Sequence, residues 1–486
     1  MRIIGNDPNT PRQTQVVASG TLSTGDTIVV NSDGTVSAVG LESISEQLGT
    51  ATTFNAGQTS QCDAVYDTAN DKVVMIFKDE SDSNYGKVVI GTISGTSISF
   101  GTEVNFVSSS TVYMAIAYDA NAGKVVIFYT LNDTYLYCKV GTVSGTSISF
   151  GSQVTINNSF PNYSVSADYD SVNQKVVYAI ERSTSNGRCA VGTVSGTSIS
   201  FGSEAIFNSG QTTLYPGSLR YNSTAQEFVV AYRDRGNSNY GTAIVGTVSG
   251  TSISFGTEVV FNSANSINIC VTDDTDTGKS VVFYKDNSAS GGYYAHAKVA
   301  TVSSQAISFG SVAYWMDGET NRTAAVYNPA AQKHIVFAPD QAQSVAAYYN
   351  QGTVSGTSIS FGTATQYESG VTIYATAAVY DPDQKVVAHG FADSSDGSYG
   401  KGIVLRSAYS STNLTAENYI GTAKSGAADG DGVVVNTQGN VDTGQTGLTA
   451  GQSYYVQADG TLSTTAGDPS VFAGTAVSST KLIVKG

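Results

Sequence analysis

The chain has 486 residues, a formal net charge of −15 and a sequence pI near 4.5, a balance that repels nucleic-acid backbones and anionic membrane surfaces and argues against both as partners. Only 13% of residues are charged, while 51 are Gly and 29 are Tyr. With abundant Ser, Thr and Val, that composition belongs to an all-β chain rich in turns and not to a disordered one.

No window approaches the roughly 20 apolar residues of a membrane-spanning helix, so no membrane insertion is expected. The opening MRIIGNDPNTPRQ lacks the apolar run of a secretory signal, which predicts assembly in a cytoplasm. Cys62, Cys138, Cys189 and Cys270 show no CxxC spacing. They are read as buried free thiols, with neither a disulfide framework nor a metal site.

In chain order, the first element is the stretch GDTIVVNSDGTV (Gly25 to Val36), an apolar strand meeting a polar turn with glycine, which is a β-hairpin signal. From Gly91 a near-literal repeat takes over: GTISGTSISFG there, GTVSGTSISFG at Gly141, Gly192, Gly246 and Gly352, and the degenerate ATVSSQAISFG at Ala300. The steps are 50, 51, 54, 54 and 52 residues, a period that fits a four-stranded propeller blade. A second marker, Tyr-Asp or a relative followed by a turn and Lys-Val-Val or a variant, recurs at Tyr66, Tyr118, Tyr169, Tyr221, Asp273, Tyr327 and Tyr380. Seven occurrences predict seven blades.

In the copy around Tyr221, the first strand leads into Tyr221 and the second is Phe228 to Tyr232, an apolar run suited to burial on both faces. The third is Thr242 to Val248 and the fourth Ser252 to Phe261, with Ser249-Gly250-Thr251 as the tight turn between them. The seventh repeat ends at Gly402 to Ser407 without a TSISFG. Its missing outer strand is supplied by Leu48-Gly49-Thr50 through Phe54-Asn55, so an N-terminal strand closes the ring and leaves no open edge.

After the repeats, GVVVNTQGNV (Gly432 to Val441) and GQSYYVQADGTL (Gly451 to Leu462) are further hairpin signals. The expected fold is therefore all-β: a seven-bladed β-propeller over residues 41–408, inserted in a small β-barrel or sandwich domain made of residues 1–40 and 409–486, with two separate end domains as the alternative.

Chemistry is sparse. The histidines His296, His334 and His389 lie in unrelated strand positions, and no HExxH, GxSxG or nucleotide-binding glycine pattern occurs. Ser94, Ser144 and Ser195 begin hairpin turns with no base beside them in sequence. The run Asp273, Asp274, Asp276 falls where every other repeat has its first turn, so turn chemistry explains it without calcium. No catalytic residue, metal or cofactor is expected. The loops between second and third strands are long and dissimilar, and several end in tyrosine: Tyr85, Tyr240, Tyr293 and Tyr399. Tyrosine beside Asp and Asn suits glycan binding, whereas recurrence at one repeat position equally suits a ring packed beneath its own loop.

The blade motif GTVSGTSISFG, the opening VVASGTLSTGDTIVVNSDGTVSAVG (Val16 to Gly40) and the ending GLTAGQSYYVQADGTLSTTAGDPSVFAGTAVSSTKLIVKG (Gly447 to Gly486) resemble virion surface proteins of tailed phages, particularly marine ones. The end segments resemble capsid decoration proteins, and the GLTxGxxYYV element recurs in phage fibres. The resemblance implies a virion structural protein at the particle surface, a capsid decoration or head-fibre protein held by the major capsid protein or other virion proteins. Its propeller would be displayed for contact with host surfaces, a host glycan among them, with a homo-oligomer compatible with a capsid threefold site. The alternatives are a tail fibre or adhesin that binds a receptor, and a propeller carbohydrate-active enzyme.

Overall fold

The computed structural model describes residues 12–131, 135–157, 162–182, 186–288, 295–316, 320, 322–340, 346–369 and 373–485. The chain is all-β, with no α-helix among the described residues. It divides into two compact units: Glu46–Ser407, and a second made of residues up to Ser45 together with those from Ala408 onward. The strand Leu41–Ile44 pairs with Tyr409–Thr412. The small unit therefore extends a few residues past the expected boundary at 40.

In the larger unit the strands follow the repeat. In the copy around Tyr221, Leu219–Asn222 pairs antiparallel with Glu227–Asp234, which pairs with Tyr240–Ser249. The outer strand expected as one piece is broken. Ser252–Phe255 pairs with the end of Tyr240–Ser249, and the chain then leaves the ladder at Gly256. It returns as Val259–Asp274, which pairs with the beginning of Tyr240–Ser249 before crossing over to become the first strand of the next repeat.

At the break most repeats bring glycine against the next repeat. A β-carbon at Gly256 would run into the Gln305 carbonyl oxygen in the turn of the following repeat. Gly101, Gly151, Gly202 and Gly310 meet the turn carbonyls of Thr146, Thr197, Thr251 and Thr357 in the same way. Gly49 meets that of Thr96, which places the N-terminal segment in the role of an outer strand. That segment pairs with the third strand of the seventh repeat, Leu48 opposite Leu405 and Gly400 opposite Asn55.

The second strands are apolar throughout because they are dry on both faces. Val74 and Ile76 pack into a cluster with Ile116, Val125 and Ile127 of the second repeat. Their neighbours Val73, Met75 and Phe77 pack into another with Val379, Val386 and Ala388 of the seventh. Each core thus lies between consecutive sheets, and each fully buried Val, Ile or Phe contributes about 1.5–3 kcal/mol. The first strands of successive repeats pack against one another in chain order, and that of the seventh packs against that of the first.

A polar staple runs alongside. The Asp or Asn of the Tyr-Asp marker is buried in every repeat and accepts from backbone N–H groups of the turn it opens. Asp67 accepts from Ala69 (3.0 Å), Asp170 from Asn173 (2.8 Å) and Asn222 from Ala225 (2.7 Å). The preceding tyrosine reaches the turn of the previous repeat. Tyr118 Oη accepts from Ala69 N–H (3.1 Å) and Tyr169 Oη from Asn121 N–H (3.2 Å), while Tyr66 Oη donates to Asp383 of the seventh repeat (2.9 Å). Asp273, where tyrosine is replaced, accepts from the backbone N–H and the hydroxyl of Ser223 (3.1 and 2.7 Å).

The small unit holds two five-stranded sheets of the same plan. One runs Gln13–Val17, Gly432–Asn436, Tyr419–Ala423, Thr27–Val30, Val36–Ala38; the other Val441–Asp442, Lys481–Val484, Val471–Ser478, Ser453–Val456, Leu462–Ser463. The hairpins GDTIVVNSDGTV and GQSYYVQADGTL occupy equivalent places. Gly421 and Gly474 also correspond: both have positive φ (144° and 157°), and a β-carbon on either would strike the carbonyl of Asn436 or Ile483. The unit is a tandem duplication, and the larger unit is inserted between the third and fourth strands of the first copy. The expected third hairpin, Gly432 to Val441, is the junction between copies, with Gly432–Asn436 in one sheet and Val441–Asp442 in the other. A core containing Val29, Tyr419, Tyr454 and Leu482 is shared by both sheets.

Gly202→Ala is expected to destabilise the larger unit by about 2 kcal/mol, because the added carbon has only backbone to displace. Gly362→Ala should be silent, since nothing lies within 4 Å of a β-carbon there. Thermal unfolding followed by circular dichroism compares the two.

Candidate functional site

The first strands do not run straight. Register against the second strand slips between Ser60 and Cys62, Thr111 and Met114, Asn162 and Ser164, Ile267 and Cys270, and Ile373 and Thr376, which are equivalent places in five repeats. A bulge of this kind turns side chains out of the ladder. Gln61 and Asn268 take positive φ there (49° and 53°).

These residues surround a cavity of about 710 Å³ to which all seven repeats contribute. Six of the lining residues stand six positions before the buried Asp or Asn of the turn: Gln61, Tyr113, Ser164, Pro216, Asn268 and Arg322. The seventh repeat contributes Thr376, one position further on. Tyr215 adds a second aromatic ring, and Glu181 and Arg235 enter from second strands and their loops. Arg235 Nη1 donates to Glu181 (3.1 Å), which also accepts from Ser164 Oγ (3.4 Å). Burial pushes the Glu181 carboxyl above its usual range. Arg322 is exposed and has no hydrogen-bond or ion-pair partner among the described residues. Loss of bulk water holds its guanidinium below its usual value.

Further along the first strands, carboxylates cap the edges that would otherwise be bare. Asp63 accepts from Ile116 N–H of the next repeat (3.1 Å), and Asp168 from Tyr221 N–H (2.8 Å). Arg220 lies 3.7 Å from Asp168 and donates to the Val271 carbonyl (3.3 Å). Burial raises Asp63 and Asp273 to about 6.

The loop tyrosines fall elsewhere. Tyr85, Tyr240 and Tyr399 begin third strands, half-buried, opposite Asp79, Asp234 and Asp393; none lines the cavity. Tyr293 lies outside the described residues. The loops before the three described tyrosines differ in sequence but share one geometry. The opening aspartate accepts from a loop N–H, and the two residues before each tyrosine have positive φ: Ser83 and Asn84, Ser238 and Asn239, Gly397 and Ser398. The loop carbonyls of Asn84, Asn239 and Ser398 then accept from the backbone of Thr111, Ser266 and Thr59. Buried Lys87 bridges Asp79 (2.8 Å), Asp82 (3.0 Å) and Glu103 (2.7 Å), and Lys401 holds Asp393 (2.6 Å). The tyrosines complete a repeated structural turn.

Hydrogen bonds hold two of the three histidines, and the third, His296, packs edge-on against Tyr284 and Tyr314. His334 meets Thr272 Oγ1 (2.8 Å) and Asp274 (3.3 Å). His389 stacks on Phe337 and bonds Tyr367 Oη (2.8 Å) and the Ala377 carbonyl (2.9 Å), and burial lowers it to about 3. Asp274 caps its own turn through Asp276 and Thr277 N–H. The four cysteines are buried, and burial raises Cys138 and Cys270 to about 12, which leaves the thiols inert at neutral pH.

Asp63 and Asp273 bind their protons more tightly folded than unfolded, so their stabilising contribution is full below about pH 4 and lost as pH rises through about 6. Asp63→Asn removes one such titration. Relative to the parent it should gain stability between pH 4.5 and 7, by at most about 1.4 kcal/mol per pH unit before screening by water. Paired thermal-unfolding series across that range measure it.

No protein-family model matches the chain, and no curated protein matches it. Among solved structures it is similar to the BP39L lectin from Burkholderia pseudomallei, with 12% identity and a TM-score of 0.54, covering 73% of this chain and 98% of the lectin. The intramolecular trans-sialidase from Ruminococcus gnavus matches at 10% identity with a TM-score of 0.44, covering 74% and 97%. At such identity the likeness to the lectin concerns the fold alone.

Proposed function

We propose that the larger unit is a closed seven-bladed β-propeller that binds a host-surface glycan in its axial cavity, and that the chain is a phage virion surface protein whose duplicated small unit is the anchor. The carrying observation is the cavity. One repeat position, at or just before the first strand, supplies it from six repeats, and the residue there differs each time, whereas the turns, staples and glycines around it recur. A repeated scaffold with one varied position is how a rigid fold carries recognition. The cyclic packing of first strands and the bond from Tyr66 to Asp383 support closure.

The anchor and its virion setting rest on the resemblance of both chain ends to decoration and fibre proteins. Binding is favoured over hydrolysis because Glu181 is the one carboxylate among the described lining residues, and Arg235 and Ser164 hold it. A glycosidase works with two carboxylates.

The test is a glycan array with the full chain and two variants. Thr376→Trp fills the cavity and should lower affinity at least tenfold, while Tyr399→Ala leaves it unchanged. The reverse pattern would move the site to the loops. Antibody against residues 46–407 should label intact virions, over the head for a decoration protein and at the tail for an adhesin; absence of label removes the virion assignment.

A further inference from the structure

The cavity described above contains two arginines and one glutamate, in a chain whose net charge is −15. Arg235 and Glu181 neutralise each other at 3.1 Å. Arg322 is left over. Glu80 is the carboxylate whose field acts on it, but Glu80 is already committed to Ser60 Oγ (2.6 Å) and Lys78 (3.6 Å). A guanidinium that lines a cavity and has no hydrogen-bond or ion-pair partner is free to take an incoming anion in a charge-assisted hydrogen bond.

We infer that the axial cavity is selective for a sugar bearing an anionic group, carboxylate or sulfate, with Arg322 as the residue that pairs with that group. This rests on the glycan-binding reading and specifies its ligand class. The surroundings fit such a ligand. Tyr113 and Tyr215 line the cavity and supply aromatic surface for a pyranose, and the Gln61 amide lines it too. Arg322 makes no hydrogen bond or ion pair among the described residues that its removal would break, so a variant there tests recognition more than folding.

The experiment is titration calorimetry of the full chain with three probes: a galacturonate trisaccharide, its methyl ester, and a sulfated galactose oligosaccharide. Each is repeated with Arg322→Ala, Arg322→Lys and Thr376→Trp. The expected result is that one or both anionic probes bind at least tenfold more tightly than the neutral ester. Arg322→Ala should abolish that preference, Arg322→Lys restore part of it and Thr376→Trp remove binding. Preference for the galacturonate identifies a carboxylate ligand, and preference for the sulfated probe a sulfate ligand. Equal binding of acid and ester, sensitive to Thr376→Trp, overturns the anionic inference and leaves the glycan cavity standing. Binding indifferent to all three variants overturns both, as does no binding of any probe alongside array binding that Thr376→Trp does not weaken.

Discussion

Everything in the larger unit depends on the second strand of each repeat being dry on both faces. Val74 and Ile76 look toward one neighbouring repeat and Val73, Met75 and Phe77 toward the other. A single repeat would expose two apolar faces to water, so no repeat is stable alone and stability accrues at the interfaces. The first and last repeats face the same demand as the rest. They meet it by packing on each other, and residues 47–58 complete the seventh sheet.

Dry interfaces leave little room for polar backbone, and the repeat resolves this with a few recurrent devices. Buried Asp or Asn satisfies each first turn, the tyrosine before it reaches across to the adjacent turn, and glycine lets one repeat's outer strand touch the next repeat's turn carbonyl. Because these devices occupy fixed places, the sixth position before the buried Asp or Asn is not bound to one residue type, although Ser164 and Asn268 there make hydrogen bonds of their own. It holds Gln, Tyr, Ser, Pro, Asn and Arg in six repeats, and a bulge there aims most of them inward. The proposed recognition would thereby rest on a position that varies while the folding devices recur.

Much of this was legible in the residues. The period, the Tyr-Asp marker, the turn Ser249-Gly250-Thr251 and the closing segment from Leu48 each appear where their chemistry requires, because turns and packing recur with every copy. The cavity was not legible in the same way, since its residues share no type. Only aligning the copies on the buried Asp would have shown that the sixth residue before it never repeats. The loops before Tyr85, Tyr240 and Tyr399 looked dissimilar because positive φ is adopted by Ser83, Asn84, Ser238, Asn239 and Ser398 as well as by Gly397. Their shared spacing from Asp to Tyr was the better signal. The duplication in the small unit was hidden because its first copy is interrupted by the insertion, although both hairpins were visible.

The insertion also decides how tension would travel. The chain enters the larger unit at Glu46 and leaves it at Ser407, and the adjoining residues Gln47 and Arg406 are opposite each other on one strand pair. A pull on the small unit's two connections therefore arrives at a single rung, and strains that pair without stretching the seven repeats apart.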